Sequence, residues 1–444
     1  MLKFRTAHLR FTTFLRRQAW ELRQLQCNWT SLSLLLLFGL SFLSFGLWLF
    51  PLTRLPINVW TKDSNVLRWG VNDAVVLLVG QDLQRSLPLD YVYPNGAENK
   101  FTCDLPALRY QCDMDNIEGC KSYPQLFPSA ALFENWNPEN TDQIPQTIFD
   151  SICHFNVSNP YELRLAQMFR EMEVPFVAYG VPELLKASEQ WTDEYLTEKL
   201  TPTTPYKVHI ANNSHYMYFS KKQRIKGEKR PYTSKWMTYP QFVKILKDVK
   251  LLHEAGKPHE YYYFMLKTTD FFEHASFIYE ELRFLNPLAT EHDSRYGDLF
   301  VRDYAIAKEI GMRCRLGMQG IIAEGHVDSG LNFVSMIRGT KRYVLAPPSV
   351  CKCLGLIKQG QSVRHTSYNW SDTSALPEDA RNCPATEVAL TAGEVLYIPP
   401  FWYHHIVSTD TSIQCNLRSG FIDRSNTQDI LSKCGLPVMR KQTV

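Results

Sequence analysis

The sequence lacks any marked excess of charge: 48 Lys and Arg stand against 45 Asp and Glu in 444 residues, a formal net charge of +3. A balance this close supplies no field of the kind that gathers nucleic acid. P-loop and zinc-finger spacings are missing, which removes the commonest phosphate-binding and structural-metal readings. No repeat period or low-complexity tract appears, so solenoids and disordered linkers are set aside. The length suggests one large domain or two ordinary ones, and 45% apolar content is enough to bury a real core.

Charge is missing altogether from residues 24–53. Within them Ser31 to Leu52, "SLSLLLLFGLSFLSFGLWLFPL", runs for 22 residues. A bilayer core needs about 20 apolar residues. A buried core helix would be shorter and polar on one face, and a cleaved signal peptide has an apolar region of only about 7–15 residues. One transmembrane signal-anchor helix is therefore expected at 31–52, after a basic cytosolic tail at 1–30. Lys3, Arg5, Arg10, Arg16, Arg17 and Arg23 precede the span against Glu21 alone. Arg54, Lys62 and Arg68 follow it, diluted by Asp63. The positive-inside bias makes this a single-pass type II protein of the secretory pathway, in the endoplasmic reticulum or Golgi, with everything after the span lumenal.

Ten of the 11 cysteines follow the span: Cys103, Cys112, Cys120, Cys153, Cys314, Cys351, Cys353, Cys383, Cys415 and Cys434. An even set in an oxidising compartment suits disulfide bonds, with buried free thiols as the alternative. Three N-glycosylation triplets also follow it, at Asn156, Asn212 and Asn369. Cys27 sits on the cytosolic edge, as an unmodified thiol or a palmitoylation site.

Residues 53–160 read as a loop-rich, cysteine-containing region to which no function is assigned. Asp73 to Leu83 reads as a buried strand, and Pro94-Asn95-Gly96 as a turn. Beyond it helices and strands mix. Tyr161 to Met172 has helical spacing, Val174 to Val181 reads as a strand, and Thr192 caps a short helix. Strands are expected in "YKVHIANN", "HYMYFSK" and "HEYYYFML", and an amphipathic helix runs from Tyr239 to Gly256. Lys221 to Arg230, "KKQRIKGEKR", is a solvated loop or a contact for an acidic partner. The C-terminal block is a succession of short strands with Gly and Pro breaks, from "RCRLGMQGIIAEGHVD" to "SIQCNLRSGF". Strands at this spacing argue for a β-sandwich or barrel.

Within that block His326 and Asp328 are separated by one residue, so a strand would point both to one face. An aspartate is costly to bury without a partner. A metal would supply one, and His404 or His405 on a later strand would complete two imidazoles and a carboxylate on one side of an iron. Lys341 lies 13 residues after Asp328. Pointing inward it needs an anion; at a strand start it would face solvent.

Three segments, "LGMQG" (Leu316 to Gly320), "HVDSGLNFVSMIRGTKRYVLAPP" (His326 to Pro348) and "GEVLYIPPFWYHHIVS" (Gly393 to Ser408), resemble the JmjC or cupin-8 type of Fe(II)- and 2-oxoglutarate-dependent oxygenases. The likeness is nearest to the branch containing the asparaginyl hydroxylase that inhibits hypoxia-inducible factor. It spans an oxygenase domain at about 165–425, leaving a tail at 426–444. It implies a mainly β fold with flanking helices, a double-stranded β-helix (jelly-roll, cupin) core preceded by the one transmembrane helix. It implies iron ligands His326, Asp328 and His404, the last because the family ligand directly follows the aromatic pair, here Trp402-Tyr403. Lys341 would bind 2-oxoglutarate, with Asn332 and Asn416 as further contacts. Ala323 departs from the pattern, since relatives often place a hydroxyl residue three positions before the first ligand. The expected activity is a dioxygenase using Fe(II), 2-oxoglutarate and O₂ to hydroxylate a lumenal or secreted polypeptide rather than chromatin. The alternatives are a non-catalytic cupin binding module, and an oxygenase acting on a glycan, lipid or small molecule.

Overall fold

The computed structural model of the chain describes residues 123–437 apart from 143–144, 220–226, 228, 289–294 and 423. The run at 31–52, the strand expected at 73–83 and the basic tail lie outside the described residues. Among the described residues no helix is long and apolar enough to cross a membrane.

Among the described residues fifteen strands build two sheets. In chain order the first seven are β1 (Phe127–Pro128), β2 (His154–Asn156), β3 (Phe176–Tyr179), β4 (Tyr206–Ala211), β5 (His215–Tyr216), β6 (Thr233–Met237) and β7 (Tyr261–Leu266). The C-terminal eight are β8 (Met312–Gly317), β9 (Ile322–Val327), β10 (Gly330–Arg338), β11 (Thr340–Ala346), β12 (Pro384–Thr391), β13 (Val395–Ile398), β14 (Tyr403–Ser408) and β15 (Ser412–Phe421). The larger sheet has the order β2-β3-β13-β10-β15-β8-β7-β4-β6, and the smaller β1-β12-β11-β14-β9-β5. From β8 onward the chain passes repeatedly between the sheets, so β8, β10, β13 and β15 face β9, β11, β12 and β14. These eight form the double-stranded β-helix that the sequence led us to expect.

Local chemistry sets the flanking elements. Thr192 caps its helix by accepting from the Tyr195 amide, and Thr238 makes a reciprocal capping box with Gln241 at the start of Tyr239–Glu254. Among the described residues of the strand expected in "HYMYFSK", His215–Tyr216 pair, in parallel with β9. Met217 and Tyr218 leave the sheet and line a cavity instead.

Apolar side chains divide the molecule into layers. A large cluster including Phe176, Phe264, Phe300 and Leu417 lies between the larger sheet and its helices. A second, with Phe133, Trp370 and Leu431, backs the smaller sheet. Between the sheets Val334, Met336, Leu345, Leu390 and Ile398 fill one half of the interior. The other half is polar, and it holds the cavity.

The fold reaches past the segment of family likeness at both ends. β1 pairs with β12, and the helix Ser129–Asn135 packs on that strand. Buried Arg342 holds it there: Nε donates to Glu387 (2.7 Å), Nη1 to the Trp136 carbonyl (2.5 Å) and Nη2 to the Leu132 carbonyl (2.7 Å). At the other end Cys434, just after the helix Arg424–Lys433, is bonded to Cys351. Cys314 bridges to Cys415 and Cys353 to Cys383. All seven cysteines among the described residues are disulfide-bonded, Cys153 included. Disulfide bonds form and persist chiefly under oxidising conditions.

Candidate metal centre

The cavity opens beside β9, β14 and β15, with a volume of about 130 Å³. His326 and His404 are cross-strand partners in β9 and β14, with ring centroids 4.2 Å apart. Asp328 follows the end of β9. Its Oδ2 lies 3.9 Å from His326 Nε2 and 3.8 Å from His404 Nε2. All three offer a ligand atom within 4.8 Å of one another.

Backbone carbonyls fix which nitrogen of each ring faces inward. His326 Nδ1 donates to the Glu324 carbonyl (2.8 Å), and His404 Nδ1 to the Trp402 carbonyl (2.9 Å). A carbonyl only accepts, so Nδ1 carries the proton and Nε2 presents a lone pair to the cavity. Burial, reinforced by His404, pushes the His326 pKa down to about 3, so the neutral ligand form persists. Burial alone would raise the Asp328 carboxyl. Arg418, then His326 and His404, outweigh it and hold the group well below the usual carboxylate range. Arg418 Nη2 donates directly to Asp328 Oδ2. Two neutral imidazoles and an oriented carboxylate make a donor set suited to a divalent iron.

A β-bulge produces this arrangement. His404 pairs with His326 but Ile406 pairs with Ala323, so β9 carries one extra residue between them. Ala323 and His326 therefore share the cavity face although they differ in parity, and Glu324 turns outward. Gly325 is required at the bulge, because a Cβ there would lie 1.8 Å from Tyr403 Oη. His405 faces away: its ring packs edge-on against Phe133 at 5.2 Å, with Nε2 3.9 Å from Glu324 Oε2.

Lys341 is 1% exposed, so it does not face solvent at its strand start. Its Nζ donates to Tyr263 Oη (3.4 Å). Burial, then Arg315, lowers its pKa to about 7. Among the described residues neither Lys341 nor Arg315 has a carboxylate in ion-pair range. Asn332 and Asn416 line the cavity together, Asn416 Nδ2 donating to Asn332 Oδ1 (3.0 Å) while Arg315 Nη1 donates to Asn416 Oδ1 (2.5 Å). The six residues singled out in the sequence thus lie in one half of one barrel.

Tyr263, Arg315, His365 and Arg418 were not singled out. Arg313 and Arg315 alternate with Met312, Cys314 and Leu316, which pack in the large outer cluster. That alternation was visible, but a polar interior was needed to know which face mattered. His365 arrives on the segment after β11, stacks on His326 (4.8 Å, 18°) and accepts from the Tyr218 amide at Nε2 (3.0 Å). Spacing could not have placed it there.

Fold and site define a cupin of the oxygenase type. A family model described as a cupin-like domain matches residues 163–417, more than half of the chain, and the protein belongs to that cupin-like, JmjC-type family. The HSPB1-associated protein 1 homolog of Danio rerio is 26% identical over 165 residues, 35% of this chain and 36% of that protein. The tRNA wybutosine-synthesizing protein 5 of Mus musculus is 30% identical over 103 residues, 23% of this chain and 32% of that protein. The chain thus spans about a third of the length of each of these curated relatives.

Proposed function

We propose that the protein is a membrane-anchored Fe(II)- and 2-oxoglutarate-dependent dioxygenase that hydroxylates a lumenal or secreted polypeptide. The observation that carries this reading is the convergence of His326 Nε2, His404 Nε2 and Asp328 in the polar half of the barrel. The iron, when bound, supplies the activation of O₂ and the oxidation of a C–H bond.

His326, Asp328 and His404 would hold the metal on one side, leaving positions open toward the cavity. Arg418 fixes the carboxylate. Lys341 would grip the distal carboxylate of 2-oxoglutarate, with Arg315 strengthening the positive field at that end. Tyr263 Oη would donate to the same carboxylate, replacing the hydroxyl that Ala323 lacks. The Asn332–Asn416 pair would orient the cosubstrate between these groups. Tyr216, Tyr232 and Ile406 wall the cavity and limit water. The likeness to the asparaginyl-hydroxylase branch favours a polypeptide as substrate.

Anchoring at 31–52 and lumenal placement are part of the proposal, supported by the N-terminal charge bias and by the disulfides. Asn212 and Asn369 are exposed and open to glycosylation, whereas Asn156 is half-buried, its Oδ1 accepting from Ser158.

The test is 2-oxoglutarate turnover by the full chain in detergent, followed as succinate, together with mass spectrometry of peptides from secretory proteins. Iron-dependent succinate formation and a peptide gaining one oxygen atom are expected. Absence of succinate with iron and ascorbate supplied would refute the reading.

A further inference from the structure

We propose that the polypeptide substrate presents an acidic side chain beside the position that is oxidised, received by Arg313 and Arg364 beside the cavity. The inference rests on the oxygenase reading and names the substrate class of that site.

Charge is the first argument. Asp328 is the one carboxylate among the described residues lining the cavity. Arg315 and Arg418 line the same cavity, Lys341 reaches the cavity-lining Tyr263, and Arg313 and Arg364 lie within electrostatic reach of Asp328. A divalent metal and a dianionic cosubstrate cancel each other. Five basic groups, Lys341 buried and the four arginines half-buried, then stand against one carboxylate, and such an excess favours an anion.

Position is the second. Three of the cations have work: Arg418 holds Asp328, Arg315 holds Asn416, and Lys341 sits on Tyr263. Arg313 and Arg364 do not. Arg313 is the cross-strand partner of Asn416, whose side chain points into the barrel, so Arg313 shares that face. It lies near Tyr218, which lines the cavity. Arg364 comes from the segment after β11. Its carbonyl accepts from the Val327 amide (3.1 Å), and the next residue, His365, bridges to His326. Arg364 adopts a positive φ of 73°, a conformation costly outside glycine. Its guanidinium lies over the Phe401 ring at 5.9 Å. Neither arginine makes a hydrogen bond or ion pair through its guanidinium among the described residues. Two arginines beside the cavity, one on β8 across from Asn416 and one over Phe401 on the segment after β11, suit a carboxylate received between them. The same excess repels a lysine-rich substrate.

The test measures binding of three decapeptide pools to the full chain holding Mn(II) and 2-oxoglutarate without oxygen, by fluorescence anisotropy. Each pool carries every residue type at its centre, flanked on both sides by Glu, Gln or Lys. The Glu pool is expected to bind at least tenfold more tightly than the Gln pool, and the Lys pool least. R313Q/R364Q should erase the difference, and R313E/R364E should invert it toward the Lys pool. Wild-type protein that takes the three pools alike overturns the inference, whatever the variants do. So does a Glu preference that survives in R313Q/R364Q, because the acid then binds elsewhere, as on the basic segment at 221–230. Protein that binds neither Mn(II) nor 2-oxoglutarate overturns the oxygenase reading instead, and the inference with it.

Discussion

His404 and His405 are adjacent in β14, yet their rings lie on opposite faces of the sheet. His404 offers Nε2 to the Asp328 carboxylate, while His405 packs against Phe133 outside the barrel. His404→Ala should remove a metal ligand and abolish iron-dependent turnover while the fold persists. His405→Ala should keep turnover and lose stability instead, by about 1–3 kcal/mol, since it removes a buried ring packed edge-on against Phe133. Thermal melts and succinate assays on the two variants separate these effects. A reversed pattern would mean that the ligand has been misassigned.

Arg418 is expected to act on metal affinity through Asp328. Arg418→Ala frees the carboxylate to rotate and should weaken metal binding about 10–100-fold, as loss of a hydrogen bond to a ligand generally does. Competition for Mn(II) against a coloured chelator measures it. Unchanged affinity would show that the metal alone orients Asp328.

The affinity for 2-oxoglutarate should depend on pH through Lys341. Burial and Arg315 lower its pKa to about 7, and only the ammonium form attracts a carboxylate. Below about pH 7 the dissociation constant should be flat, and above it should rise by up to about tenfold per pH unit. Lys341→Met should bind far more weakly and lose the pH dependence. A wild-type constant flat from pH 6 to about pH 9 would place the anion elsewhere.

Arg342 and Glu387 carry a stability prediction away from the site. Both are fully buried, and their pair ties residues 129–136 to the barrel. Removing one partner leaves a buried charge, so Arg342→Met or Glu387→Leu should each cost about 3–5 kcal/mol. The double variant should recover part of that loss. Denaturant unfolding of the three variants provides the measurement, and additive losses would contradict the coupling.

Much of this was legible in the sequence because strand alternation and local capping are short-range. The His326-Val-Asp328 spacing, the aromatic pair before His404 and the cap at Thr192 all depend on a few neighbouring residues. What was not legible depends on contacts between distant segments. The bulge that brings Ala323 and His326 to one face is defined only against β14. Disulfide pairing between Cys351 and Cys434 spans 83 residues, and no spacing rule selects it. The assignment of Arg315 and Arg418 to the interior required knowing that this half of the barrel is polar. The helix at 129–135 was hidden in a stretch that read as loop-rich, because the contacts that hold it, to Arg342, lie more than 200 residues away.

The most direct measurement is metal stoichiometry and 2-oxoglutarate affinity across wild type, His326→Ala, Asp328→Ala, His404→Ala and Lys341→Ala. The account predicts one iron per wild-type chain and severe loss in each of the three ligand variants. Lys341→Ala should keep its iron and bind 2-oxoglutarate about two to four decades more weakly, the equivalent of roughly 3–5 kcal/mol for a buried charge pair. Wild-type protein that takes up no iron, or a Lys341→Ala variant with unchanged 2-oxoglutarate affinity, would contradict it.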